Sequence, residues 1–110
     1  MINSKSELAQ EFWEKGKLID CPIVDFHAHM GDNGGIYLPK RTAEAMIDTM
    51  DNCNTILTCF CGHEALFTPS IGEELDVKAV KRHPDRLKAY HGVVSRYLNP
   101  EDDLKRMREN

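Results

Sequence analysis

Two histidines separated by one residue are the side chains of this sequence best suited to chemistry. His27 and His29 follow the short, mainly apolar run 23–26 and precede a glycine-rich loop. Side chains two positions apart on an extended strand project to the same face, so the two imidazoles would lie side by side. Imidazole nitrogens bind Zn²⁺ at about 2.0–2.1 Å, and a pair of them can chelate one divalent ion. The spacing therefore predicts part of a metal site at the end of a strand.

Asp25 belongs to the same hypothesis because it has the strand parity of His27. We expect its carboxylate to face the same side of the strand, and a buried carboxylate is costly unless it is paired. It would then either orient a metal ligand as an outer-sphere group or accept a hydrogen bond from neighbouring backbone. For His27 and His29 themselves, the alternative is a pair of histidines in a polar loop without a metal.

The four cysteines are predicted to be reduced thiols rather than disulfides or metal ligands. They are Cys21, Cys53, Cys59 and Cys61. One residue separates the last two, whereas paired zinc-binding cysteines usually have two or more residues between them. Both lie in an apolar run typical of a buried strand, where a free cysteine behaves as a small hydrophobic residue. The pattern favours packing over a second metal site.

Periodicity and turn residues predict strands that alternate with helices. Helices are expected at 4–17, with Ser4 and Glu7 as a capping box, at 42–52, at 71–82 and from residue 100 onward. Strands are expected at 23–26, 55–60 and 87–94. His83 is expected to be exposed at a helix end, and His91 to lie inside the third strand. Alternating strands and helices predict parallel pairing with right-handed crossovers, the α/β class.

Composition excludes several classes of protein. The chain has 110 residues, 41% of them hydrophobic and 29% charged, with a formal net charge of -4. Its acidic and basic residues are interspersed and do not form the basic surface that nucleic-acid binding requires. No apolar run reaches the roughly 18–20 residues of a membrane span, and the polar segment 1–17 is unlike a secretory signal. We therefore expect one cytoplasmic domain that binds neither nucleic acid nor membrane.

The segment 23–31 resembles the opening strand of the amidohydrolase-related metal-dependent hydrolases, whose D-x-H-x-H-x-G pattern it matches. The segment 46–57 is similar to that family's first helix and second strand. The segment 83–94 resembles its P-D-R element followed by a third strand, and 99–101 falls where its third helix begins. The resemblance covers most of residues 20–110.

This resemblance implies a (β/α)₈ barrel, a fold that typically needs ~250 residues. The chain would supply the first three β/α units: 1–20 as an N-terminal helical extension and 21–110 as the N-terminal part of a truncated barrel. His27 and His29 would be the first two metal ligands. The remaining ligands and the catalytic acid would come from later strands, beyond residue 110. His63 and Glu64 follow the second strand and would face the substrate at the carboxyl-end face of the barrel.

The activity implied by the resemblance is hydrolysis of a small carbonyl-containing substrate by metal-activated water. The expected cofactor is a divalent metal ion, Zn²⁺ first and Mn²⁺ as another candidate. Non-oxidative decarboxylation by the same kind of site is an alternative, and a non-catalytic α/β domain that binds a metal or a partner is another. The intact protein could be a homo-oligomer, and the 110-residue chain alone is expected to be inactive. The substrate and the number of metal ions stay open.

Overall fold

Strands and helices alternate along the part of the chain that the structure, a computed structural model, describes: residues 5–90 and 100–109. Their order is α1 (Glu7–Lys15), β1 (Ile23–Ala28), α2 (Ala43–Cys53), β2 (Thr55–Phe60), α3 (His63–Phe67), α4 (Pro69–Arg82), β3 (Leu87–Ala89) and α5 (Pro100–Glu109). The three strands form one sheet in the order β1-β2-β3, and both pairs are parallel. The α/β class and the parallel pairing are therefore confirmed. Closure into a barrel stays a prediction.

The core lies between the sheet and the helices α2 and α4. The buried apolar residues that form it are Met30, Ala43, Met50, Phe60, Ala79 and Leu87. Met46 and Ile47 pack against this cluster, so the stripe predicted for the second helix does face the core. Thr42 starts that helix by accepting a hydrogen bond from the backbone N–H of Ala45 at 3.2 Å. The face of α2 packs against β2, whereas α4 packs against β3, so the two helices together cover one side of the sheet.

The N-terminal helix is shorter than predicted. Its N-cap is Ser6, whose hydroxyl accepts from the backbone N–H of Ala9 at 3.4 Å, so the prediction of Ser4 as the cap is wrong. Gly16 ends the helix with a φ of 72°, a left-handed conformation that glycine adopts without strain. The helix buries none of its residues, and Phe12 remains 41% exposed.

The sequence did not predict α3, a single short helix directly after β2. It packs so closely on α4 that a Cβ on Gly72 would lie 2.1 Å from the backbone nitrogen of Ala65. The predicted helix at 71–82 begins two residues earlier, at Pro69, a residue favoured in the first turn. The predicted third strand is present at 87–89. Its continuation to residue 94, His91 included, lies outside the described residues. The final helix begins at Pro100 as predicted.

None of the helices in the described ranges combines the length and the apolar character that crossing a bilayer requires.

Candidate metal centre

The two predicted metal ligands meet at the carboxyl end of the sheet. His27 lies near the end of β1 and His29 follows that strand directly, and their Nε2 atoms are 3.2 Å apart. Two Zn–N bonds that meet at a near-tetrahedral angle would hold their nitrogens about 3.3 Å apart. The observed contact is a hydrogen bond between the two rings, and its length is close to the spacing of two nitrogens that bind one ion.

A backbone carbonyl determines which nitrogen of His29 is free. The Nδ1 atom of His29 lies 2.9 Å from the carbonyl oxygen of Cys61. A carbonyl only accepts hydrogen bonds, so Nδ1 carries the proton and donates it. In the neutral ring the lone pair is then on Nε2, the atom that faces His27. This is the arrangement by which proteins orient a histidine ligand through its second nitrogen.

The strand β1 loses its regular alternation just before this pair. Asp25 is paired with Thr58 and Ala28 with Phe60, so three steps along β1 match two along β2. Thr58 in turn lies beside the core residue Leu87, which places Asp25 on the helix-covered face of the sheet. The expectation that Asp25 shares the face of His27 by strand parity is wrong, because the irregularity interrupts that parity.

The carboxylate of Asp25 has a local partner. Its Oδ1 atom accepts a hydrogen bond from the backbone N–H of His27 at 2.9 Å. This is the backbone role that the sequence left open as one of two alternatives. It holds the main chain of His27 across the irregular part of β1. A role toward the imidazole of a metal ligand stays a prediction.

His63 and Glu64 lie at the same end of the sheet as the histidine pair, as predicted. His63 is 4% exposed, and its ring stacks on that of His29 with centroids 5.1 Å apart and planes 15° from parallel. Its Nδ1 atom is 3.2 Å from the carbonyl oxygen of Gly31. The Oε1 atom of Glu64 accepts from the backbone N–H of Asp32 at 3.2 Å. Both side chains thus contact the loop that follows His29, and their contact with a substrate stays a prediction.

The burial of Cys59 and Cys61 agrees with the prediction that they pack in an apolar strand. All four thiols are free, and Cys59 and Cys61 are buried. Burial raises the pKa of the Cys61 thiol, and the nearby carboxylates of Asp76 and Glu73 raise it further. The sulfur of Cys61 is therefore a neutral, packed group, and this residue serves the site through its carbonyl oxygen.

Buried acidic side chains beside the site were not predicted. Asp76 accepts from the backbone N–H of Gly62 at 2.8 Å and is 2% exposed. Glu73 and Asp103, buried to the same degree, bind the guanidinium of Arg106 and so connect α5 to α4. These hydrogen-bonded acids hold together the helices that support the loop after β2. In the sequence their spacing is equally typical of a solvated helix face, so no local signal distinguishes them.

His83 also differs from expectation. Its Nε2 atom is buried and has no hydrogen-bond partner among the described residues. The residue is half-buried, so the prediction of a solvent-exposed histidine at this helix end is wrong. The residue follows α4 and its backbone N–H caps that helix at the carbonyl of Ala79. The carbonyl of His83 accepts hydrogen bonds from the backbone N–H groups of Arg86 and Leu87, in the turn that leads to β3.

The histidine pair offers two imidazole nitrogens. Within residues 5–90 and 100–109, no group of three or more His, Cys, Asp or Glu side chains is arranged to hold a metal ion. Protein zinc sites use three or four protein ligands, so a stable centre at this position needs ligands in addition to His27 and His29.

Comparison with known proteins identifies no relative: no family model, no curated protein and no solved structure matches this chain. The protein can therefore be classified only by its fold and by the geometry of the candidate site. The chain is an α/β protein with an oriented histidine pair at the carboxyl end of a parallel sheet.

Proposed function

We propose that this chain provides the first two metal ligands of a metal-dependent hydrolase of the amidohydrolase type. The three β/α units would be the first of a (β/α)₈ barrel, and later strands would supply the other ligands and a general base. The observation that carries the proposal is the 3.2 Å separation of the Nε2 atoms of His27 and His29. The match of residues 25–31 to the D-x-H-x-H-x-G pattern also supports it.

The position of the pair also supports the proposal. In open parallel sheets and in barrels, ligands bind beyond the carboxyl ends of the strands. His27 and His29 lie at that end of β1, and His63 begins the helix after β2. The residues after β2 thus lie beside the histidine pair at the carboxyl end of the sheet, where a substrate would meet a bound ion.

In this proposal, the residues of this chain would bind the metal ion and orient its histidine ligands. His29 presents an unprotonated Nε2 because Cys61 holds the proton on Nδ1. Nε2 of His27 donates the hydrogen bond to Nε2 of His29, and it would give up that proton to complete the chelate. A divalent ion bound there would lower the pKa of its water to roughly 7, and the same ion would polarise the substrate carbonyl. The proposed substrate is a small molecule with a hydrolysable carbonyl group, and the proposed setting is the cytoplasm, where free thiols such as these four persist.

A Zn²⁺ titration of the 110-residue chain, followed by NMR of the imidazole C–H signals, tests the pair. We expect the signals of His27 and His29 to shift together and to reach their end points at the same ratio of Zn²⁺ to protein. The variants His27→Ala and His29→Ala should each weaken binding by more than about tenfold, since loss of an outer-sphere partner alone costs that much.

His83→Gln is the matched control, because it changes a histidine remote in sequence from the pair and should leave the Zn²⁺ affinity unchanged. Equal Zn²⁺ affinity in wild type and His27→Ala would remove the pair from any metal site and overturn the proposal.

A further inference from the structure

We propose that His63 is a positioning residue that fixes the orientation of the His29 ring. The inference rests on the proposed metal site, since an oriented Nε2 matters for binding an ion. It assigns His63 a role distinct from contact with substrate.

His63 is itself held on two sides. Its backbone N–H donates to the carbonyl of Met30 at 2.8 Å, and its Nδ1 lies 3.2 Å from the carbonyl of Gly31. That carbonyl requires a proton on Nδ1 of His63, which assigns this ring the same tautomer as His29. With only 4% of its surface exposed, the ring has no room to adopt another rotamer.

The ring of His29 is in turn limited in two ways. The Nδ1–H group of His29 donates to the carbonyl oxygen of Cys61 at 2.9 Å. This hydrogen bond determines which edge of the ring faces Cys61. The stacked ring of His63, 5.1 Å away and 15° from parallel, limits the tilt of its plane. The hydrogen bond alone leaves the plane free to swing about the N–H···O direction, and such a swing would move Nε2 away from His27. The stacked contact is therefore what His63 adds.

The loop between these residues strengthens the arrangement. Gly31 donates its N–H to the carbonyl of Arg41 at 3.0 Å, and Glu64 accepts from the N–H of Asp32 at 3.2 Å. Residues 61–64 thus contact residues 29–32 through side chains and backbone together. Movement of His63 would be transmitted to His29 both directly and through Gly31.

Nitrogen-15 NMR of the imidazole rings at pH 8 tests the inference without any metal. In the wild-type chain we expect His29 in a single tautomer with its proton on Nδ1. In His63→Ala we expect that signal to shift toward a tautomer mixture, and the Zn²⁺ affinity to fall about 10–100-fold, the usual cost of losing an outer-sphere contact. His63→Phe keeps a flat ring against His29 and should retain most of the Nδ1–H tautomer, whereas His63→Asn keeps only a donor for Gly31 and should not.

Val80→Ala is the control for loss of stability alone. Its side chain packs against the core and takes no part in the hydrogen bonds or ring contacts of His29 and His63, so the variant should lower stability and leave the His29 tautomer unchanged. If His63→Ala does not fold, the inference is tested by comparing the His29 tautomer in His63→Phe and His63→Asn, whose side chains leave a smaller cavity.

An unchanged His29 tautomer in His63→Ala and His63→Asn would overturn the inference, whatever happens to stability. Zn²⁺ affinity that is the same in wild type and in His27→Ala would overturn the proposed function instead, and the tautomer measurement, made without metal, distinguishes the two failures.

Discussion

The backbone just after the histidine pair has a conformation that few residues can adopt. Gly31 has a φ of 85°, and a Cβ built on it would lie 2.3 Å from the Oε2 atom of Glu64. The left-handed region costs a residue with a Cβ roughly 1–2 kcal/mol. Both the positive φ and the close approach of Glu64 therefore favour glycine at this position. Without a Cβ there, the Glu64 carboxylate can reach the N–H of Asp32.

Gly31→Ala should lower the free energy of unfolding by about 2–3 kcal/mol, from backbone strain and from displacement of the Glu64 carboxylate. In the double variant Gly31→Ala with Glu64→Ala, the steric part should disappear and the strain of about 1 kcal/mol should remain. Urea denaturation measures both. Gly34→Ala is the control, since a Cβ there meets nothing within 4 Å. Equal losses for Gly31→Ala with and without Glu64 would contradict the steric argument.

At the scale of elements, Arg86 connects the beginning of β2 to the end of α2. Its Nε donates to the carbonyl of Ile56 at 3.2 Å, and its Nη2 donates to the carbonyl of Thr55 at 3.1 Å. The same nitrogen forms an ion pair with Asp51 at 2.6 Å, and the Arg86 carbonyl accepts from Thr58 at 2.9 Å. The arginine of the P-D-R element thus joins a helix and a strand at the end of the sheet opposite to the histidine pair.

Arg86→Ala should destabilise the protein by about 1–3 kcal/mol, because two strand carbonyls and a carboxylate lose a charged donor. Arg86→Lys should recover only part of this, since an ammonium group lacks the planar fork that reaches three acceptors. Thermal denaturation followed by circular dichroism reports both. Lys78→Ala, which removes an exposed pair with Glu74, should change stability by less than about 0.5 kcal/mol. A loss for Lys78→Ala as large as that for Arg86→Ala would show that surface charge alone accounts for the effect.

The molecule as a whole is less compact than its length suggests. Its Cα radius of gyration is 16.5 Å, whereas about 13 Å is usual for a domain of 100 residues. The helix α1 buries none of its residues. The strand β1 lies at an edge of the described sheet and exposes Val24 and Phe26, the latter by 66%. Exposed apolar side chains on an edge strand favour association between chains.

We expect the 110-residue chain to self-associate in a concentration-dependent manner, as size-exclusion chromatography with light scattering would show. Phe26→Glu should shift the mass toward the monomer, because it places a charge on the exposed edge strand. Tyr37→Glu is the control, since Tyr37 is 89% exposed but lies in a loop. A monomer at every concentration in the wild type would show that the exposed surface of β1 does not drive association.

Local patterns in the sequence were enough to predict most of the elements. The apolar stripe of α2, the apolar run of β2 and the proline at the start of α5 are properties of consecutive residues, and the structure confirms all three. The alternation of strands and helices likewise predicted the parallel sheet, because a parallel connection needs a crossover. The adjacent positions of the His27 and His29 side chains also follow from local spacing.

Tertiary structure alone decided how that pair is oriented. The carbonyl that determines the His29 tautomer belongs to Cys61, 32 residues away in the sequence. The stacked ring of His63 and the face of Asp25 depend on the register between β1 and β2, which strict alternation did not predict. The physical reason is that periodicity constrains a residue relative to its own element, whereas hydrogen bonds and ring contacts between elements depend on how their backbones are aligned.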